Sequence, residues 1–309
     1  MTLTHRSRIA LLALLLGGSA CSQSPDPEPL QLDEHVLATF YPLESMARSL
    51  AQGAVEVHCP LPEGADPQFY KPSRADLALY QRARVVLTNG AGFERWLGTA
   101  SLAPSRLVDT AANFSEPLIE HKGKTHTHGF EGEHSHAGTD GHYWLDPLLA
   151  LVQAQACGAA MTSAFPEHEQ TFARGLSQLE TDLRALHKRI ESAVPEGTRF
   201  LASHPAYNYL ARRYGWEVKS LDLDPEQPLS EEQFERLEDL VDSFDPALLL
   251  WESEALPETR SALETRLNLR SVVFSPAENP TADVRASGTT FVDILSANVD
   301  LLQTALAGD

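Results

Sequence analysis

One run of residues sets the frame for the rest of the chain. From Phe172, apolar residues recur at Leu176, Leu179, Leu183, Leu186 and Ile190, in steps of four and three without exception. That spacing lays one apolar stripe along a helix. A helix over 166–195 is about 40 Å long at ~1.5 Å per residue. Its seam covers only about three heptads, so the reading is a single rod packed against its own domains rather than a coiled coil.

On both sides of the rod, short strand-like runs alternate with helical ones. Before it come VLATF (36–40), helical spacing at Leu43, Met46, Ala47 and Leu50, and VEVHC (55–59). A helix capped by Ser73 with Asp76 in its first turn follows, then VVLTNG (85–90) and RLVDT (106–110). Asp146-Pro147 starts another helix, with Asp as cap and Pro at the first position. After the rod come RFLAS (199–203), AYNYLARRYG, VKSLDL (218–223), a Ser230/Gln233 capping box, ALLLW (247–251), a helix after Pro257, and SVVFS (271–275). The last helix carries Phe291, Leu295, Val299, Leu302 and Leu306 on one face. Alternation of this kind implies parallel sheets covered by helices. The fold class is therefore α/β: two lobes, each a parallel sheet flanked by helices, joined by one long rigid helix, with a cleft between the lobes. The lobes are assigned to 34–165 and 196–309.

The N-terminus has its own signature. Arg6 and Arg8 precede an apolar run from Ile9 to Leu16, too short to span a membrane, and small residues lead to Cys21. This reads as a signal peptide over 1–20. The Gly18-Ser19-Ala20-Cys21 sequence resembles a bacterial lipobox, which makes Cys21 a lipidation site and 21–33 a Pro-rich tether. The expected location is the bacterial cell envelope, extracytoplasmic or periplasmic, anchored to a membrane by lipid. Cys59 and Cys157 remain, either paired or as buried thiols.

Residues 121–141 break the pattern. This stretch holds His121, His126, His128, His134 and His136 among Gly and acidic residues, with no apolar period, and reads as a mobile loop. Imidazoles two residues apart suit zinc, copper or nickel, so the loop is an auxiliary metal-binding candidate, although ordering it costs entropy.

In open α/β sheets, ligands bind beyond the carboxyl ends of the strands. The polar residues placed there are Gln68, His142, His204, Glu252 and Ser275. A single histidine at a strand end is commonly structural. Two of them, in opposite lobes, point to coordination of a metal by neutral imidazole.

Several segments now carry a resemblance: ATFYPLESMARSLA, PEGADPQFYKPSRADLALYQRARVVLTNGAGFERWL, GHYWLDPLLA, ASHPAYNYLARRYGW and the final helix with Asn298. In this order they resemble the zinc/manganese substrate-binding proteins of bacterial metal ABC transporters, from residue 34 onward. The resemblance is closest to the zinc branch, because a histidine stands at 204 and an acidic, His-rich insertion precedes His142. It implies Zn2+ as cargo, with Mn2+ or another divalent transition metal as the alternative, an ABC permease as partner, and a monomer. By position the family's ligands fall on His142 and His204, then on Gln68 and near Ser275, where the usual donors are replaced. Gln and Ser are poor donors to zinc, which prefers His, Cys, Asp and Glu. Glu252 is the carboxylate expected to compensate, ahead of Glu254 and Glu278. His58 and Cys59 are further candidates at a strand end.

The competing reading keeps the fold and makes the chain an envelope metal buffer or interaction protein that works through the His-rich loop. Enzyme readings find no support: HEQTF (168–172) lacks the second histidine of a zinc-protease helix, and there is no nucleophile elbow or phosphate loop. A net charge of -19 over 309 residues disfavours nucleic acid and suits cations.

Overall fold

The computed structural model describes residues 33–121, 125–128, 132–135 and 138–308. The leader, Cys21, the tether up to residue 32, and His136 lie outside them.

The first lobe opens with β1 (Asp33–Ala38), α1 (Tyr41–Ala51), β2 (Glu56–His58), α2 (Arg74–Arg82), β3 (Ala83–Thr88) and β4 (Leu107–Asp109). The four strands form a parallel sheet in the order β2-β1-β3-β4. Both faces are covered along the second half of β1; the strand's first residues, Asp33, Glu34 and His35, are polar. Val36 and Ala38 enter the main core. Leu37 faces the other way, into a smaller cluster with Tyr80, Val86 and Trp96. The caps follow the side chains: Ser73 and Asp76 form a reciprocal capping box at the start of α2.

The stretch expected to be a loop contains two antiparallel ladders. β5 (Glu120–His121) pairs with β8 (Gly138–Thr139), and β6 (Thr125–His128) with β7 (Gly132–Ser135), setting His126 opposite His134. The Thr-His alternation supplies β-branched residues without apolar ones, which a search for apolar period passes over.

α3 (Pro147–Ala164) follows, capped by Asp146 through Leu148 N–H. α4 (Glu169–Ala193) is the rod, about 38 Å long. It starts three residues later than the spacing predicts, because Pro166–His168 form a 3-10 turn. Phe172, Leu179, Leu183, Leu186 and Ile190 are buried along its stripe. Gly175 lets it lie against α1: a Cβ there would sit 2.5 Å from Ser49 O and 2.7 Å from Leu50 Cα.

The second lobe repeats the topology of the first. It comprises β9 (Arg199–Ala202), α5 (Asn208–Tyr214), β10 (Glu217–Ser220), α6 (Glu231–Phe244), β11 (Leu248–Trp251), α7 (Pro257–Leu267), β12 (Ser271–Val273), α8 (Ala282–Ala286) and α9 (Phe291–Ala307). Its strands are parallel in the order β10-β9-β11-β12. One apolar core runs without interruption from Val36 and Leu87 through α3, α4 and α9 to Phe200, Leu250 and Phe274. Cys59 and Cys157 are free thiols.

Two sets of polar contacts lace the lobes together. On one side, Asn279 Nδ2 donates to Pro62 O (2.6 Å) and Ala65 O (2.8 Å). Its Oδ1 accepts from Arg285 (2.6 Å), which also pairs with the buried Glu44 (2.8 Å). On the other, Arg213 donates to Asp146 and Glu116 (2.7 Å each), and Arg212 donates to Pro117 O (2.6 Å).

Candidate metal site

The C-terminal ends of both sheets meet. His204 comes two residues after β9, and the backbone N–H of Ser203 continues that strand's pairing to Leu250 O. His142 opens a buried 3-10 turn, His142–Leu145, just ahead of α3. Both imidazoles are buried, with ring centroids 5.4 Å apart at 75°.

The carboxylate that joins them is Glu278. Its Oε1 lies 2.7 Å from His142 Nε2. Among the His, Cys, Asp and Glu side chains of the described residues, His142, His204 and Glu278 alone bring three donor atoms within 4.8 Å of one another. Glu278 reaches this point through a turn. Asn298 grips Ser275 at both backbone groups, accepting from its N–H (3.1 Å) and donating to its C=O (2.8 Å). Ser275 Oγ accepts from Ala277 N–H (3.2 Å), and Ala277 takes a left-handed conformation at φ +58°. A non-glycine residue held in that region by its surroundings is common where a site demands it. Trp144 Nε1 donates to Pro276 O (2.8 Å), fixing the turn to the first lobe.

The expected compensating carboxylate lies farther out. Glu252 Oε2 is 3.6 Å from His204 Nδ1, outside the three-donor group. Glu254 pairs with Arg260 on the surface (3.4 Å). Gln68 sits in the loop after β2, where its backbone N–H donates to Asp66 Oδ1 (2.7 Å). Ser275 shapes the turn that delivers Glu278. His58 lies at the end of β2 in contact with Glu56.

Two carboxylates not expected from the sequence complete the surroundings. Asp140 is buried, and its Oδ1 accepts from both the backbone N–H (2.9 Å) and Nδ1–H (2.8 Å) of His142, while Oδ2 accepts from Asn208 (2.9 Å). A carboxylate behind an imidazole fixes its tautomer and raises its basicity as a ligand. Asp66 belongs to the ADPQ motif. Burial, and then the nearby Glu278, push its carboxyl up to about 7.

Electrostatically the cluster is short of positive charge. Burial pushes Glu252 up to about 8, with Glu278 adding to the shift and His142 opposing it. Burial alone would discharge His142. Hydrogen bonds to Asp140 and Glu278 outweigh it and hold the imidazole up to about 10. Without a metal, His142 therefore carries a proton on Nε2, the atom that a cation would need. Two nitrogens and a carboxylate, with further carboxylates around them, form a donor set that fits a divalent transition metal.

Residues 36–305 match the family profile described as zinc-uptake complex component A, periplasmic. The chain is 26% identical over 311 residues to the high-affinity zinc uptake system protein ZnuA of Bacillus subtilis, a match covering 96% of this chain and 94% of that protein. Among solved structures, the metal-dependent lipoprotein YcdH of Bacillus subtilis superposes with a TM-score of 0.76 at 21% identity, over 88% of this chain and 98% of that one. The Zn(II)-bound ZnuA-like domain of Streptococcus pneumoniae AdcA gives 0.74 at 21% identity, over 89% and 99%. At these identities the superpositions bear on the fold.

Proposed function

The chain belongs to the zinc-uptake complex component A family, and on that premise we propose that it captures Zn2+ between its lobes through His142, His204 and Glu278 and delivers it to an ABC permease. The observation that carries the ligand assignment is the convergence of two buried imidazoles and one carboxylate, contributed by both halves of the chain. Asp140 orients His142 from behind. Glu252 and Asp66 stand near enough to offset the charge of the cation. Capture is coordination and not catalysis. Anchoring through a lipid on Cys21 is supported by the lipobox-like sequence and by the description of YcdH as a lipoprotein. The protein would work as a monomer at the envelope surface.

Competitive zinc titration against a chelator tests the site. The variant H142A/H204A should lose tight one-to-one binding. Glu278→Gln should weaken it by ten- to hundredfold, since an interaction with a charged group is worth about 1.5–3 kcal/mol. Glu252→Gln should cost less. Equal affinities for the parent and H142A/H204A would place zinc elsewhere on the chain.

A further inference from the structure

A second pair of imidazoles lies away from the cleft, on the first sheet. β1 and β2 are paired with His35 opposite Glu56 and Leu37 opposite His58. His35, Glu56 and His58 thus share the sheet face of Leu37, the face turned away from the main core. The rings of His35 and His58 have centroids 5.3 Å apart at 85°. The cleft pair has 5.4 Å and 75°.

The likeness extends to the carboxylates. In the cleft, His142 has Glu278 at one ring nitrogen and Asp140 at the other. Here His58 Nε2 lies 3.2 Å from Glu56, and His35 Nδ1 lies 3.9 Å from Asp33, which also pairs with Arg82. His35 is 8% exposed, and its Nε2 is buried with no hydrogen-bond partner. A buried polar atom without a partner costs free energy comparable to a lost hydrogen bond. A cation on Nε2 removes that cost, with Nδ1–H directed to Asp33.

We propose that His35 and His58, with Glu56 as the anionic third donor, form a second binding site for a divalent transition metal of the zinc, copper or nickel class, separate from the cleft. His35 is the buried, fixed ligand. The half-exposed His58 and the exposed Glu56 close over the ion from solvent. The metal takes the place of the His58–Glu56 hydrogen bond, His58 binding through Nε2 as the Nδ1–H tautomer, and water fills the remaining positions. Its three donors are not gathered within 4.8 Å as those of the cleft are, and Arg82 pairs with the neighbouring Asp33, so the site is weaker than the cleft.

The test is zinc titration of the full chain with the imidazole 15N signals followed by NMR, His35 and His58 being assigned from H35Q and H58Q. The cleft signals of His142 and His204 should respond first. With further zinc, His35 and His58 should shift together at one common concentration, and H58Q, altered at a half-exposed position, should abolish the His35 response while the cleft response stays as it was. No His35 shift up to millimolar zinc overturns the proposal. So does a His58 shift that leaves His35 unmoved, which would mark surface binding by His58 and Glu56 only. The cleft signals are read separately, so failure of one site does not mask the other.

Discussion

His142 is held between two carboxylates, and in the proposed site its proton would compete with the metal. At pH 7 an imidazole with a pKa of about 10 is charged, so zinc bound there as proposed would displace that proton. Calorimetry in two buffers of different ionisation enthalpy should show at least about one proton released per zinc bound, and affinity should fall as pH falls. No proton release would mean that the metal does not touch Nε2 of His142. How much of this cluster could be read in the sequence differs from residue to residue. His142 and His204 lie within motifs, GHYWLDP and ASHPAY; His204 follows β9 and His142 opens the 3-10 turn ahead of α3, and the fold brings them to one point. In the sequence Glu252 ranks ahead of Glu278 because the family's ligand positions end at Ser275. The carboxylate enters three residues later, through the left-handed turn at Ala277 and the grip of Asn298 on Ser275. The turn has no local sequence signal, and Asn298 is marked only as part of the family resemblance. Asp140 has no signal of its own, since by sequence it belongs to the His-rich stretch.

Among the elements, the strands of the two parallel sheets and most helices are legible from apolar runs, helical spacing or caps, whereas the short β5–β8 ladders have no apolar period. Ser73, Asp146 and Ser230 all cap where their residue types predict. What periodicity cannot show is which helices touch. α4 reads as a stripe of large apolar residues, yet its closest approach to α1 is set by Gly175, which the stripe does not include. A methyl group at that position meets backbone on α1, which cannot rotate aside. Gly175→Ala should therefore lower stability by about 1–3 kcal/mol, the usual cost of overpacking, seen as a reduced Tm. The cleft lies elsewhere in the fold, so zinc affinity of the folded variant should be unchanged. A Tm equal to that of the parent would mean that α1 and α4 separate at no cost.

At the level of the whole molecule, the two sheets repeat one topology around the rod, and a single core passes through both. Such a body has no flexible waist, and its cleft is fastened by Asn279 and Arg285 on one side and by Arg212 and Arg213 on the other. Small-angle scattering of the apo and zinc-loaded forms should superimpose, unlike hinge-type closure, which would change the profile. Cutting a fastening should show instead in time: Asn279→Ala should speed zinc loss to excess chelator.

The lacing bears on residence time more than on affinity. If the cation sits behind these two sets of contacts, its release waits on one of them opening, and the free protein is then expected to give it up slowly. Delivery on a useful timescale would in that case call for a docking partner that competes for Asn279 or the Arg212–Arg213 pair. The receiving membrane protein would set the moment of unloading.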